Sequence, residues 1–135
     1  MVSLNKANKN ESGFSLLELM IAMFIMIILL SVALPTYNRT IQSARETVLK
    51  ENLWQMRRAI DQYSSDKGKL PPSVEELVTE KYLRERPVDP ITDNTEWDEI
   101  MGEDPMAPDD AEQGLTNVKS LAEGSDADGK AYKEY

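Results

Sequence analysis

Residues 13–35 read GFSLLELMIAMFIMIILLSVALP, an apolar run interrupted by one carboxylate, Glu18. As a helix, residues 14–34 would span about 32 Å, close to the thickness of a bilayer's hydrocarbon core. A charge set near the centre of such a helix costs roughly 2.5–3.5 kcal/mol on insertion scales, so an ionisable residue there needs a partner or a purpose. Residues 17–30 offer Glu18 no basic side chain, and Lys9 lies before the run. The partner of Glu18 must come from elsewhere.

Three readings of the run compete. A secretory signal peptide accounts for the basic residues Lys6 and Lys9 and for the small-x-small sequence Ser31-Val32-Ala33. Its apolar region is normally shorter than this one and lacks an acid. A plain signal anchor accounts for the length, and Lys6 and Lys9 would hold the N-terminus in the cytoplasm. It leaves Glu18 unexplained. In the third reading the chain is cut between Gly13 and Phe14, which makes Glu18 the fifth residue of the mature protein. A free amine then becomes available to the carboxylate, either in the same chain or on a neighbouring copy. The second arrangement turns Glu18 into an assembly device.

The string from Gly13 to Met20, followed by unbroken apolar sequence to Pro35, resembles the signal of type IV pilins and type II secretion pseudopilins. The resemblance implies cleavage after Gly13 by a prepilin peptidase and N-methylation of Phe14. It also implies that Glu18 neutralises a neighbouring subunit's N-terminus during filament growth. Pro35 matches the family's helix-kinking proline. The domains implied are a leader at 1–13, a transmembrane and filament-core helix at 14–35, and a periplasmic pilin-like domain at 36–135.

Beyond Pro35 the pattern turns amphipathic without a linker. Tyr37, Ile41, Ala44 and Val48, then Leu49, Leu53, Met56, Ile60 and Tyr63, recur at three- and four-residue intervals among Arg39, Arg45, Lys50, Arg57 and Arg58. That periodicity predicts one helix from Phe14 to about Asp66, ended by Gly68. Pro71-Pro72 break the chain. Ser73 with Glu76 then forms a capping box that opens a second helix of about eight residues. Residues 95–101 and 115–121 read as strands, and AYKEY (131–135) as a candidate third. The acidic segment 102–114 between them reads as a loop. The fold class expected is α+β: a long N-terminal helix packed on a small domain with a short helix and a small antiparallel sheet. This order of elements looks most like the major pseudopilins of type II secretion. The chain has no Cys to close the disulfide loop usual in type IV pilins.

Composition narrows the function. With neither Cys nor His, thiol chemistry and the commonest general base and metal ligand are missing, so an enzyme here would work with carboxylates, hydroxyls and Lys alone. Residues 93–135 hold 13 acidic and 3 basic side chains, which argues against nucleic acid. Major pseudopilins typically hold Ca²⁺ in a C-terminal loop. Here that resemblance points to Glu123, Asp126 and Asp128, with the backbone of Leu121 and Ser125. An EF-hand is excluded, since Gly124 and Tyr135 would fall where acids are required. A simple Asp-Gly turn is the competing reading of the same residues.

The expectation is a non-enzymatic structural subunit of a type II secretion pseudopilus. It is a single-pass protein of the inner membrane with its N-terminus in the cytoplasm and its globular domain in the periplasm. Its partners would be copies of itself, the prepilin peptidase, minor pseudopilins and the inner-membrane assembly platform. A type IV pilin or a minor pseudopilin is the alternative within the family. A signal-anchored monomeric periplasmic binding protein is the alternative from another class.

Overall fold

A computed structural model describes residues 12–108 and 112–135. The expected leader, with Lys6 and Lys9, lies almost entirely outside the described residues, as do positions 109–111 of the acidic loop. The chain divides into two compact units, one ending at Arg39 and the other running from Thr40 to Tyr135.

The element order is helix α1 (Leu16–Lys67), helix α2 (Val74–Thr79), strand β1 (Asp98–Gly102), strand β2 (Gly114–Lys119) and a 3₁₀ turn (Tyr132–Glu134). This is an α+β, pilin-like arrangement. In the first unit α1 consists of Leu, Ile, Met, Ala and Phe with few interruptions, and its apolar side chains are all exposed. By length and composition this helix is able to cross a membrane. Pro35 brings no N–H to the ladder, yet the helix continues through it. Two hydroxyls bond back to the backbone nearby, Ser31 to the Ile28 carbonyl at 2.6 Å and Thr36 to that of Val32 at 3.0 Å.

In the second unit α1 supplies Leu49, Leu53, Met56, Ala59, Ile60 and Tyr63 to the core. Spacings of three and four put them on one face, as the sequence predicts. The face stops at Leu49. Tyr37, Ile41 and Val48, expected to extend it, remain exposed in the single chain; before Leu49 the core reaches α1 through the Tyr132 hydroxyl, which meets the polar side chains of Gln42 and Glu46. Gly68 ends the helix at φ +68°, its N–H bonded to the Ser64 carbonyl at 2.9 Å.

α2 is six residues long rather than eight. Ser73 caps it by accepting the Glu76 N–H at 3.3 Å, while Glu99 of β1 accepts the Val74 N–H at 2.6 Å. Lys81, in the left-handed conformation, closes its far end, where the Tyr82 and Leu83 N–H groups both return to the Leu77 carbonyl. Val74 and Leu77 are fully buried.

β1 and β2 pair antiparallel, Asp98 opposite Lys119 and Gly102 opposite Gly114, with an irregularity between Ile100 and Met101. Gly114 is required by contact. A Cβ there would stand 2.4 Å from that of Leu70, where the Leu115 N–H donates to the Pro71 carbonyl at 2.7 Å. The segment between α2 and β1 is held from inside. Asp89 is fully buried, accepting the Ile91 N–H at 2.8 Å and the Ser120 hydroxyl at 2.5 Å. Trp97 donates to the Pro87 carbonyl at 2.9 Å, and Asn52 of α1 to that of Val88 at 2.8 Å.

Residues 131–135 are not a third strand. Tyr132 and Tyr135 both insert into the core while Lys133 and Glu134 stay exposed. That spacing of three is the period of a 3₁₀ turn, not the alternation of a strand.

Candidate functional site

The cleavage and assembly residues lie at the head of α1. Gly13 and Phe14 precede the helix, and the Phe14 ring is 91% exposed. A methyl group placed on Gly13 would meet nothing within 4 Å, and its backbone is not in the left-handed region. Folding of the chain therefore gives no reason for glycine at position 13.

Glu18 stands in the first turn of α1, where the helix dipole favours a negative charge. Its Oε2 accepts the Ser15 N–H at 2.9 Å, and Ser15 Oγ accepts the Glu18 N–H at 3.1 Å. The pair is a reciprocal capping box that satisfies two helix-terminal donors at once. Among the described residues Oε1 of Glu18 has no hydrogen-bond partner. Sequence reading treated Glu18 only as a charge and missed Ser15. The signal was present, since Ser-x-x-Glu before an apolar run is the spacing of such a cap.

The C-terminal residues proposed for Ca²⁺ are arranged as a hydrogen-bonded turn. Asp126 Oδ1 accepts the N–H groups of Asp128 and Lys130, each at 2.9 Å, and Oδ2 accepts the Tyr135 hydroxyl at 2.5 Å. The Asp126 N–H donates to the Lys130 carbonyl, and Ser125 bridges to Ala131. Glu123 pairs instead with Lys133 at 2.8 Å, and Leu121 is exposed. Both oxygens of Asp126 are thus already bonded to donors, and Glu123 faces a cation. Among the described residues no three acidic side chains converge on a point that could hold a metal ion. As arranged, the donor set does not fit Ca²⁺, which needs several converging oxygens.

The same hydrogen bonds set the local electrostatics. The Tyr135 hydroxyl, then the Lys130 and Asp128 N–H groups and Lys50, hold Asp126 below its ordinary value against an opposing effect of burial. Burial and the Asp126 carboxylate push the Tyr135 hydroxyl well upward. Lys133 lowers Glu123. Lys50 and Lys130 lie 5.0 and 5.3 Å from the Tyr135 ring centre. Arg57, expected on the polar face of α1, turns inward. It donates to the Asn117 side chain at 2.8 Å and to the main-chain oxygens of Val118 and Tyr135 at 3.0 and 2.6 Å.

Residues 8–34 match the family described as the prokaryotic N-terminal methylation motif. The match spans Gly13, Phe14, Ser15 and Glu18, and it supports a type IV pilin-like protein processed as a prepilin. No curated protein and no solved structure matches the chain.

Proposed function

We propose that this chain is a structural, non-enzymatic subunit of a type II secretion pseudopilus. It is cut after Gly13, methylated on Phe14, and polymerised from the inner membrane into a periplasmic filament that helps to export folded proteins. The observation that carries this reading is the methylation motif at residues 8–34, whose run from Leu16 onward is an apolar, exposed stretch of α1. Gly13 supports it, because nothing in the fold requires a glycine there while a peptidase that reads the bond would. Glu18 supports it too. One carboxylate oxygen caps the helix and the other, without a partner among the described residues, is open to an outside donor such as the amine of a neighbouring Phe14. The apolar half of α1 would form the filament core and the second unit its outer coat. The lack of Cys favours a pseudopilin over a type IV pilin.

The test is intact-mass spectrometry of the membrane-extracted protein from cells with and without a prepilin peptidase. The expected product begins at Phe14, carries one methyl group and depends on that peptidase. A chain beginning after Ala33 would make the run a discarded signal, and an uncut chain would leave a simple anchor.

A further inference from the structure

Trp54 is the one large aromatic side chain of α1 in the second unit that the core leaves out among the described residues; it is 54% exposed. The Arg58 guanidinium lies 5.2 Å from its ring centre. Both line a shallow concavity together with Tyr82, Leu83 and Arg84, in the chain that follows α2. Among the described residues neither Arg58 nor Arg84 meets a carboxylate, although the protein carries a net charge of −9. An exposed Trp flanked by two unpaired arginines has the composition of a binding hot spot.

The complementary surface is on the same chain. Met106 is 95% exposed at the tip of a turn. The turn is fixed by two hydrogen bonds, from the Ala107 N–H to the Asp104 carbonyl at 3.0 Å and from the Met106 N–H to the Asp104 carboxylate at 2.9 Å. Glu103 and Asp104 precede the tip, and no cation pairs with either among the described residues. A thioether suits an indole face, and two carboxylates suit two guanidiniums.

We infer that the Trp54–Arg58–Arg84 concavity of one copy receives the Met106 turn of a second copy. The two patches differ, so the contact is head-to-tail, the class that builds an open polymer wherever its rotation closes no ring. The docking therefore rests on the filament reading and gives it a sequence-specific contact outside the apolar helix. The charge asymmetry of the chain serves the same contact, with the acid concentrated in residues 93–135.

Because the protein has no cysteine, the test can be made on the full chain. Two differently tagged forms, Gln62→Cys beside the concavity and Pro105→Cys beside the Met106 tip, are co-expressed with a prepilin peptidase, and their membranes are treated with a short bismaleimide. Both positions are exposed, so neither change threatens the fold. The expected result is a cross-linked pair carrying both tags, absent from either variant alone, and lost when Arg84→Glu is added to the Gln62→Cys chain. Filaments are sedimented from the same cells. Filaments without the mixed pair would overturn the docking and leave the filament reading intact. A mixed pair without filaments would uphold the docking and overturn the filament reading. The absence of both would overturn the two together.

Discussion

Ser15 and Glu18 cap each other at the head of α1, through the Ser15 N–H on Glu18 Oε2 at 2.9 Å and the Glu18 N–H on Ser15 Oγ at 3.1 Å. Both residues follow the proposed cut, so the box survives processing. Glu18 therefore has two separable roles, an acceptor for the helix end and a charge for a neighbour. Glu18→Gln keeps an acceptor at the right reach and removes the charge. It should leave cleavage intact and abolish filament sedimentation. Ser15→Ala should cost the helix about 1 kcal/mol and still assemble. Filaments of Glu18→Gln at the wild-type level would show that the cap alone accounts for the carboxylate.

Gly13 lies in open space with an ordinary backbone, so a side chain there should trouble a protease and not the fold. Gly13→Val is expected to accumulate as uncut chain by intact mass, with an unchanged thermal unfolding curve. Cleavage at the wild-type rate would remove the argument from glycine at this position.

How far the sequence led depended on the range over which each feature is decided. The period of Leu49, Leu53, Met56, Ile60 and Tyr63, the Pro71-Pro72 break and the Ser73 cap are local, and each lies where it was expected. The partners of Arg57 are 60 to 78 residues away along the chain, and nothing in a helical pattern marks one of the four arginines of α1 as inward. The turn at Tyr132 and Tyr135 was hidden in the same way. Tyr132 is fixed by Gln42 at 2.6 Å and by Glu46 at 2.9 Å, both on α1, and five residues hold too little pattern to separate a strand from a 3₁₀ turn. At the candidate site the motif residues were legible because spacing defines them. The bonding of Asp126 and Glu123 was not, because Tyr135 and Lys133 compete for those carboxylates only once the loop is folded.

Asp89 and Ser120 form a buried pair that ties the segment before β1 to the residues after β2. The Ser120 hydroxyl also accepts the Ala122 N–H at 3.0 Å. Ser120→Ala would strand a carboxylate oxygen and an amide together. Each unsatisfied buried group costs about 1–3 kcal/mol, so denaturant unfolding should show a loss of at least that size. A change below about 0.5 kcal/mol, the range of ordinary surface substitutions, would mean that water or a neighbour replaces the hydroxyl.

The C-terminal turn predicts a response to acid and to metal. Asp126 and Glu123 are both held below their ordinary values of 3.8 and 4.5. A depressed carboxylate stabilises the fold above its unfolded value and loses that contribution as pH falls through the folded one. The melting temperature should therefore be flat from neutral pH down to the ordinary values and drop below them. Tyr135→Phe removes the largest cause acting on Asp126 and should weaken that drop. Since the donors do not converge, neither Ca²⁺ nor a chelator should shift the melting temperature. A rise with Ca²⁺ would mean that the turn rearranges around an ion.

Leu53 and Trp54 are neighbours on α1 with opposite fates, one 1% exposed and the other 54%. Leu53 belongs to the buried cluster that also draws on α2, β2 and the C-terminal tyrosines, so Leu53→Ala removes buried methyl groups and leaves a cavity. Its expected cost is about 2–5 kcal/mol. Trp54 contributes little to the folded monomer, and Trp54→Ala should change unfolding by no more than about 0.5 kcal/mol. In the filament the ranking should change, because the Met106 turn of the next copy would lose the ring it packs on. Denaturant unfolding in detergent and filament sedimentation, run side by side, separate the two effects. If Trp54→Ala destabilises the monomer as much as Leu53→Ala does, the indole belongs to the core and the docking surface is lost with it. If it is stable but fails to sediment, the ring is held out for a second copy.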